Sequence, residues 1–264
     1  MAGDAPEQDF LFEVRDGIGF GTFNRPHARN ALTFYMYERL AEVCGKIEAD
    51  RSIKALVLTG AGDKAFAAGT DISQFRAFST AQDALDYEQR IDRVISAVEA
   101  LRVPTIAAIA GACTGGGAGI AAACDLRIGA ANARFGFPIA RTLGNCLSMA
   151  NYARLVALIG AARTKDIIFT ARLVDADEAK SAGLLSEILP DGAALMLRSE
   201  ELARLVASHA PLTLRATKEA LRRLKEKSLG SDDSDLILSC YMSQDFQEGM
   251  DAFLTKRVPN WRGV

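Results

Sequence analysis

The stretch Lys64-Ala65-Phe66-Ala67-Ala68-Gly69-Thr70-Asp71-Ile72 decides how this chain is read, together with a second one, Gly111-Ala112-Cys113-Thr114-Gly115-Gly116-Gly117-Ala118-Gly119. Each is a run of small residues that follows an apolar, strand-like segment and leads toward a helix. A backbone without bulky side chains can approach a ligand closely and aim N–H groups at it. Two such runs side by side supply converging donors, the arrangement that holds a thioester oxygen as it becomes negative. Either run alone reads equally well as a tight turn; the pair points to a site. The second run does not fit G-x-G-x-x-G, and no acidic ribose ligand follows at the distance a dinucleotide site needs.

Working outward, strand and helix patterns alternate, which predicts an α/β sheet with crossovers. Phe10–Arg15 and Gly17–Phe23 read as a hairpin with Asp16-Gly17 at its turn. Tyr35–Ala49 has helical periodicity, and Ile53–Thr59 is a short apolar strand. Thr80–Leu101 reads as a helix opened by Ser79 or Thr80 with Asp83. Pro104–Ala110 is a buried strand, Gly115–Cys124 a helix of small residues, and Leu126–Ala130 another strand. Beyond Pro138 the pattern is mostly helical. Asp175-Ala176-Asp177-Glu178 resembles a capping box before a short helix that stops at Gly183. Leu185–Leu189 is a strand, and Ala193–Ser208, Leu212–Lys227 and Asp233–Phe253 are helices. Asp125 and His209 read as structural residues.

Of the 264 residues, 49% are apolar, enough for one large core. A formal charge of −2 argues against nucleic acid as the main partner. The 5 cysteines are scattered without a C-x-x-C pair, which suits reduced thiols. No targeting peptide or membrane span is evident, so the expectation is a soluble, cytoplasmic protein with no membrane partner. No metal-ligand spacing and no G-x-S-x-G elbow occur.

The two glycine-bearing runs resemble the crotonase (enoyl-CoA hydratase/isomerase) superfamily, whose patterns read A-F-x-A-G-A-D-I/L and N-G-x-x-x-G-G-G-x-E-L-A. Further matches lie at Phe23-Asn24-Arg25-Pro26-His27-Ala28-Arg29-Asn30-Ala31-Leu32, Pro104–Gly111, Cys124-Asp125 and Phe246-Gln247-Glu248-Gly249-Met250, so the resemblance covers nearly the whole chain. It implies an α/β fold: a crotonase-like spiral of β-β-α units over residues 1–189, and a helical C-terminal region over 190–264 that supports a homotrimer or a hexamer. It also implies an acyl-CoA substrate, with no cofactor beyond the coenzyme A carried by that substrate.

By the same resemblance, the backbone N–H groups of Ala68 and Gly116 form the oxyanion hole. Ala68, Gly69, Thr70, Asp71 and Ile72 lie along the coenzyme, and Arg25, His27, Ala28, Arg29 and Lys64 approach its phosphates. Phe253 packs on the adenine and Lys256 meets a phosphate, in a segment that reaches a neighbouring subunit's ligand. Each assignment has a plainer reading. The cations suit a solvated surface, Asp71 suits a helix cap near Ile72, and Phe253 shares a helical face with Phe246 and Met250.

The pattern breaks at the acid–base positions. A hydratase of this superfamily sets two glutamates around one water. The first position is Gly119 here; the second, in a Pro-Glu pair, is Ile139 or, counted back from Gly144, Ala140. A positioned acid or base supplies about 10²–10⁴ in rate, so both losses bear on the reaction. Candidate replacements are Glu88 as base, which its helical neighbours suit equally well to an exposed face, and Arg141 as a fork for a second acyl carboxylate. Cys146 is weighed as a nucleophile against a small buried residue, and Thr114 and Gln74 as neighbours of the acyl group. The expected function is an acyl-CoA lyase or isomerase with a replaced acid–base set. The alternatives are a catalytically weak acyl-CoA-binding or regulatory protein, or a CoA-thioester hydrolase or decarboxylase.

Overall fold

The computed structural model describes residues 8–77, 80–226 and 234–262. Its centre is a six-stranded sheet in the order β1-β2-β3-β5-β7-β10, formed by Phe10–Arg15 (β1), Ile18–Phe23 (β2), Ala55–Gly60 (β3), Thr105–Ile109 (β5), Leu126–Ala130 (β7) and Glu187–Leu189 (β10). The β1–β2 hairpin is antiparallel; β2, β3, β5, β7 and β10 run parallel. A second, four-stranded sheet has the order β4-β6-β8-β9, from Ala65–Ala68, Ala112–Thr114, Arg134–Gly136 and Val174–Asp175.

The alternation of side chains along the inner strands divides the core. Leu56, Leu58, Ala107 and Ile109 face the layer that holds the helices α1 (Phe34–Ala49), α2 (Ala81–Ala100) and α3 (Gly116–Ala123). Ala55, Val57, Ile106 and Ala108 face the other way, against Leu195, Leu202 and Ala203 of α7 (Gly192–Ala207). Strands covered on both faces are apolar throughout, which is why these segments show no polar alternation.

The remaining helices are α4 (Ile139–Thr142), α5 (Met149–Thr170), α6 (Ala176–Ser181), α8 (Pro211–Glu226), α9 (Ser234–Tyr241) and α10 (Gln244–Leu254). Thr80 and Asp83 form the capping box that starts α2; Ser79, Lys227 and Asp233 lie outside the described residues. Asp175 caps α6 through the Glu178 N–H. The single helix expected over Asp233–Phe253 is two. Ser243 accepts from the Phe246 N–H and starts α10 afresh, so a cap overrides a periodicity that runs on across it.

Two ion-pair clusters tie the C-terminal helices to the core. Asp125 accepts from the Thr105 N–H (2.7 Å) and hydroxyl (2.9 Å) and from Lys218 Nζ of α8 (2.6 Å). Glu99, on α2, meets Arg154 of α5 at 3.1 Å and Lys225 of α8. Burial alone would raise the Glu99 pKa, but the two cations outweigh it and hold it below its ordinary value. A folded pKa below the unfolded one, about 4.3, means stability that is complete above that value and lost as pH falls through the folded pKa. Glu99→Gln is therefore expected to cost about 1–3 kcal/mol at neutral pH, with the difference from wild type shrinking below about pH 4. Urea unfolding at a series of pH values checks this; a pH-independent difference would refute it.

Candidate active site

The second sheet sets up the site. In the parallel ladder Ala68 pairs with Thr114, and Thr114 with Gly136. The strands β4, β6 and β8 thus end level, and their exits Gly69-Thr70, Gly115-Gly116 and Phe137-Pro138 emerge side by side. Ligands in open parallel sheets bind at such carboxyl ends. Gly69 (φ 95°) and Gly115 (φ 51°) lie back to back: a Cβ on Gly115 would stand 3.3 Å from the Gly69 Cα. Only glycine accepts that conformation at that separation without strain.

The N–H groups at these exits are differently occupied. The Ala68 N–H donates to Arg29 O at 3.1 Å, and the Asp71 N–H to Leu32 O at 2.8 Å. Among the described residues, the Thr70 and Gly116 N–H groups make no hydrogen bond. Gly116 is the first residue of α3, where the helix has no internal acceptor for its N–H and its dipole favours negative charge. The two segments touch: a Cβ on Gly116 would lie 3.2 Å from Thr70 Oγ1. Of the expected donor pair, Gly116 is open and Ala68 is not. Arg29 reaches Ala68 because Arg29 and Asn30 both take left-handed conformations (φ 51° and 55°). The buried Asn30 amide, bonded to Arg25 N, Ala61 O and Ala65 O, holds that loop in place.

A cavity of about 510 Å³ opens over these donors, a size suited to a small organic ligand. Ala28, Arg29, Ala68, Gly69, Thr70, Asp71, Ile72 and Phe253 line it, whereas Arg25, His27, Lys64 and Lys256 do not. Arg25 is committed to the fold, bonding Ala31 O (2.7 Å) and pairing with Asp71 (3.1 Å) and Asp9 (3.4 Å). His27, Lys64 and Lys256 are exposed. Asp71 caps the 3-10 turn Ile72–Ala77, accepting from the Ser73 N–H and hydroxyl. Phe253 is not core: it is 50% exposed at the cavity, while Phe246 and Met250 are buried.

Glu88 lies on the cavity wall and is 6% exposed. The apolar stripe of α2 runs Ala84, Tyr87, Ile91, Val94, Ile95, Val98, and Glu88 falls inside it. A carboxylate in the buried stripe was the sequence signal that it faces inward. Tyr241, at the end of α9, donates its hydroxyl to Glu88, and Asn145 Nδ2 donates to the Tyr241 oxygen at 3.2 Å. Burial, with the Glu88 charge next in weight, lifts the Tyr241 phenol well above its ordinary pKa, so it stays protonated as the donor. Asn145 Oδ1 is buried with no hydrogen-bond partner among the described residues. Tyr241 and Asn145 lie 153 and 57 positions from Glu88 and carry no local motif.

The positions at which glutamates were expected are occupied otherwise. A Cβ on Gly119 would stand 3.0 Å from Ile95 Cδ1 and 3.4 Å from Asn151 Oδ1. Asn151 is held in turn by Ser148, Asp92 and Arg154. Ile139 is buried and lines the cavity, whereas Ala140 is exposed. Arg141 is also exposed and does not line the cavity, because the short helix α4 turns it outward; it cannot grip an acyl carboxylate there. Arg141→Ala is expected to leave kcat and KM within about twofold of wild type, the range of a surface substitution; a tenfold loss in steady-state kinetics would reverse this placement. Gln74 accepts from the Phe34 N–H at the start of α1. Cys146 lines the cavity, but its thiol is engaged outside it, 3.5 Å from Leu236 O and beside the free Cys240 thiol. Among the described residues no three His, Cys, Asp or Glu side chains are placed to hold a metal ion, and no helix is long and apolar enough to cross a membrane.

The chain is similar to known proteins along almost its whole length. The family model for enoyl-CoA hydratase/isomerase matches residues 13–264. The short-chain-enoyl-CoA hydratase of Clostridium acetobutylicum is 34% identical, over 94% of this chain and 95% of its own. The crotonyl-CoA hydratase of Syntrophomonas wolfei is 32% identical over 96% and 98%. Among solved structures, an enoyl-CoA hydratase/carnithine racemase from Magnetospirillum magneticum superposes with a TM-score of 0.78 at 33% identity, covering 97% and 96% of the two chains. A methylmalonyl-CoA decarboxylase bound to 2-nitronate-propionyl-CoA superposes with 0.88 at 27% identity, covering 97% and 99%. With level strand ends, an open helix N-terminus and matches along almost its full length, the chain belongs to the enoyl-CoA hydratase/isomerase family of crotonase-fold proteins that act on acyl-CoA.

Proposed function

We propose that the protein is a lyase or isomerase that stabilises an acyl-CoA enolate between the N–H groups of Thr70 and Gly116 and moves the proton through Glu88. The observation that carries this reading is a single cavity with two unengaged amide N–H groups and a buried carboxylate on its wall. The thioester oxygen accepts both N–H bonds. Each backbone donor is worth about 3–4 kcal/mol once charge develops on that oxygen, because it is already oriented. Glu88 takes a proton from an acyl carbon and returns it to another. One carboxylate suffices for moving a double bond. Adding water needs a second acceptor to orient it, and Asn145 lines the cavity beside the Tyr241–Glu88 pair.

The pantetheine arm follows Ala68–Ile72 past Ala28, with Arg29 toward the phosphates, and no cofactor beyond the substrate's own coenzyme A takes part. Exposed Leu221 and Leu224 lie on one side of α8 as an uncovered apolar strip, which supports assembly as a homotrimer or a pair of trimers. A decarboxylase reading draws on the 0.88 superposition, but Arg29 is the only cation among the described lining residues, and Glu88 repels a second acyl carboxylate.

The test incubates purified protein with crotonyl-CoA and with a 3-enoyl-CoA. A gain of one water by mass identifies a hydratase. Growth of conjugated-enoyl absorbance without mass change identifies an isomerase. Binding by calorimetry with neither change would replace this reading with the acyl-CoA-binding one.

A further inference from the structure

Thr70 carries a hydroxyl that neither the amide pair nor Glu88 uses. Its Oγ1 lies 2.9 Å from the Tyr37 hydroxyl and 3.0 Å from the Tyr87 hydroxyl. Tyr37 comes from α1 and is 0% exposed; Tyr87 comes from α2 and, like Thr70, lines the cavity. The Tyr87 ring is braced edge-on by Phe75 at 4.8 Å. The cluster sits directly under the proposed oxyanion site, since a Cβ on Gly116 would lie 1.9 Å from the Tyr37 oxygen and 3.2 Å from Thr70 Oγ1.

Counting protons gives the cluster a direction. Burial raises both phenols above their ordinary pKa, so both keep their protons. Thr70 Oγ1 is the hydrogen-bond partner of the Tyr37 hydroxyl, and a buried phenol left without an acceptor would cost about 1–3 kcal/mol; Tyr37 therefore donates to Thr70. Oγ1 has a second lone pair, and the Tyr87 hydroxyl, 3.0 Å away, fills it when it donates in the same sense. Both lone pairs of Oγ1 are then filled and its own proton is left over. Thr70 lines the cavity, which receives that proton. Two incoming bonds polarise the outgoing O–H and strengthen it as a donor.

We propose that the Thr70 hydroxyl is a third donor to the thioester oxygen, oriented from behind by Tyr37 and Tyr87. This rests on the function proposed above. Thr70 touches the substrate and is a catalytic residue; Tyr37 acts through it and is a positioning residue. No bond is broken in the step: the hydroxyl polarises the carbonyl and strengthens its bond as the enolate forms.

The test uses dimethylaminocinnamoyl-CoA, a thioester whose absorbance moves to longer wavelength as its carbonyl is polarised. Wild-type protein is expected to bind it with a red shift. Thr70→Val keeps the backbone N–H and the shape but loses the hydroxyl. It is expected to bind with a smaller red shift and to lower kcat about tenfold or more, about 1.4 kcal/mol, with KM within about twofold. Thr70→Ser is expected to restore both, and Tyr37→Phe to reduce the red shift in part. A full red shift and full kcat in Thr70→Val would overturn the third-donor role while leaving the proposed function standing. No binding by wild type would overturn both. If Thr70→Val does not fold, the comparison of Tyr37→Phe with Thr70→Ser decides: a red shift equal to wild type in Tyr37→Phe refutes the relay.

Discussion

Glu88→Gln is expected to lower turnover of the acyl-CoA that wild type converts by about 10²–10⁴, the contribution of one positioned acid or base, while leaving thioester affinity nearly unchanged. Glutamine fills the same volume and still accepts the Tyr241 hydroxyl, so the pocket keeps its shape; what disappears is the group that holds the proton. Binding is spared because the proposed thioester-oxygen donors, Thr70 and Gly116, lie on other elements. The decisive measurements are steady-state kcat beside calorimetric Kd, with deuterium uptake from D2O into the acyl chain as a second readout. Wild-type turnover in Glu88→Gln would remove this residue from the mechanism and direct attention to Asn145 and Asn151. Tyr241→Phe sharpens the result. It leaves the carboxylate but removes its hydrogen-bond donor, so a smaller loss is expected than for Glu88→Gln.

Gly116→Ala is the second change with a large expected effect. A methyl there would lie 1.9 Å from the Tyr37 oxygen, far inside contact distance, and Tyr37 is fully buried between α1 and Thr70. The ring or the first turn of α3 must move. Overpacking of this kind costs about 1–3 kcal/mol of stability, and displacing the N–H from the oxyanion position costs about 10²–10³ in rate. Loss of activity with a shallow drop in melting temperature would match. The double variant Gly116→Ala with Tyr37→Phe separates the causes. Removing the phenol oxygen relieves the overlap, so stability is expected to recover further than activity. A Gly116→Ala protein with wild-type kcat would show that this N–H does not hold the thioester oxygen.

Much of the architecture was legible in the chain because it is set by short-range chemistry. The Asp16-Gly17 turn, the Thr80–Asp83 capping box and the Asp175 cap each act within a few residues, and each lies where its local chemistry puts it. The apolar strands could be recognised because strands covered on both faces admit few polar residues. The order of the signatures sufficed to identify the family. The break at Ser243 shows the limit of this reasoning: helical periodicity continued through it, and only the cap marked the end.

By itself, then, the sequence determined the family, the strands of the central sheet and the main helices between them, the two glycine-bearing segments, and the presence of Gly119 and Ile139 where glutamates were expected; the second sheet it did not reveal. Tertiary structure alone decided how those segments are used. Ala68 and Thr70 stand two residues apart, and both could donate; the Arg29 carbonyl takes the first and leaves the second open. Glu88 faces the cavity because Tyr241, 153 positions away, comes back to meet it, while Arg141 faces solvent because α4 ends in a short outward turn. The physical reason is common to all three. A helix or strand forms from its neighbours in sequence, but which hydrogen bonds remain free and which face is covered depend on groups that the fold brings from far along the chain.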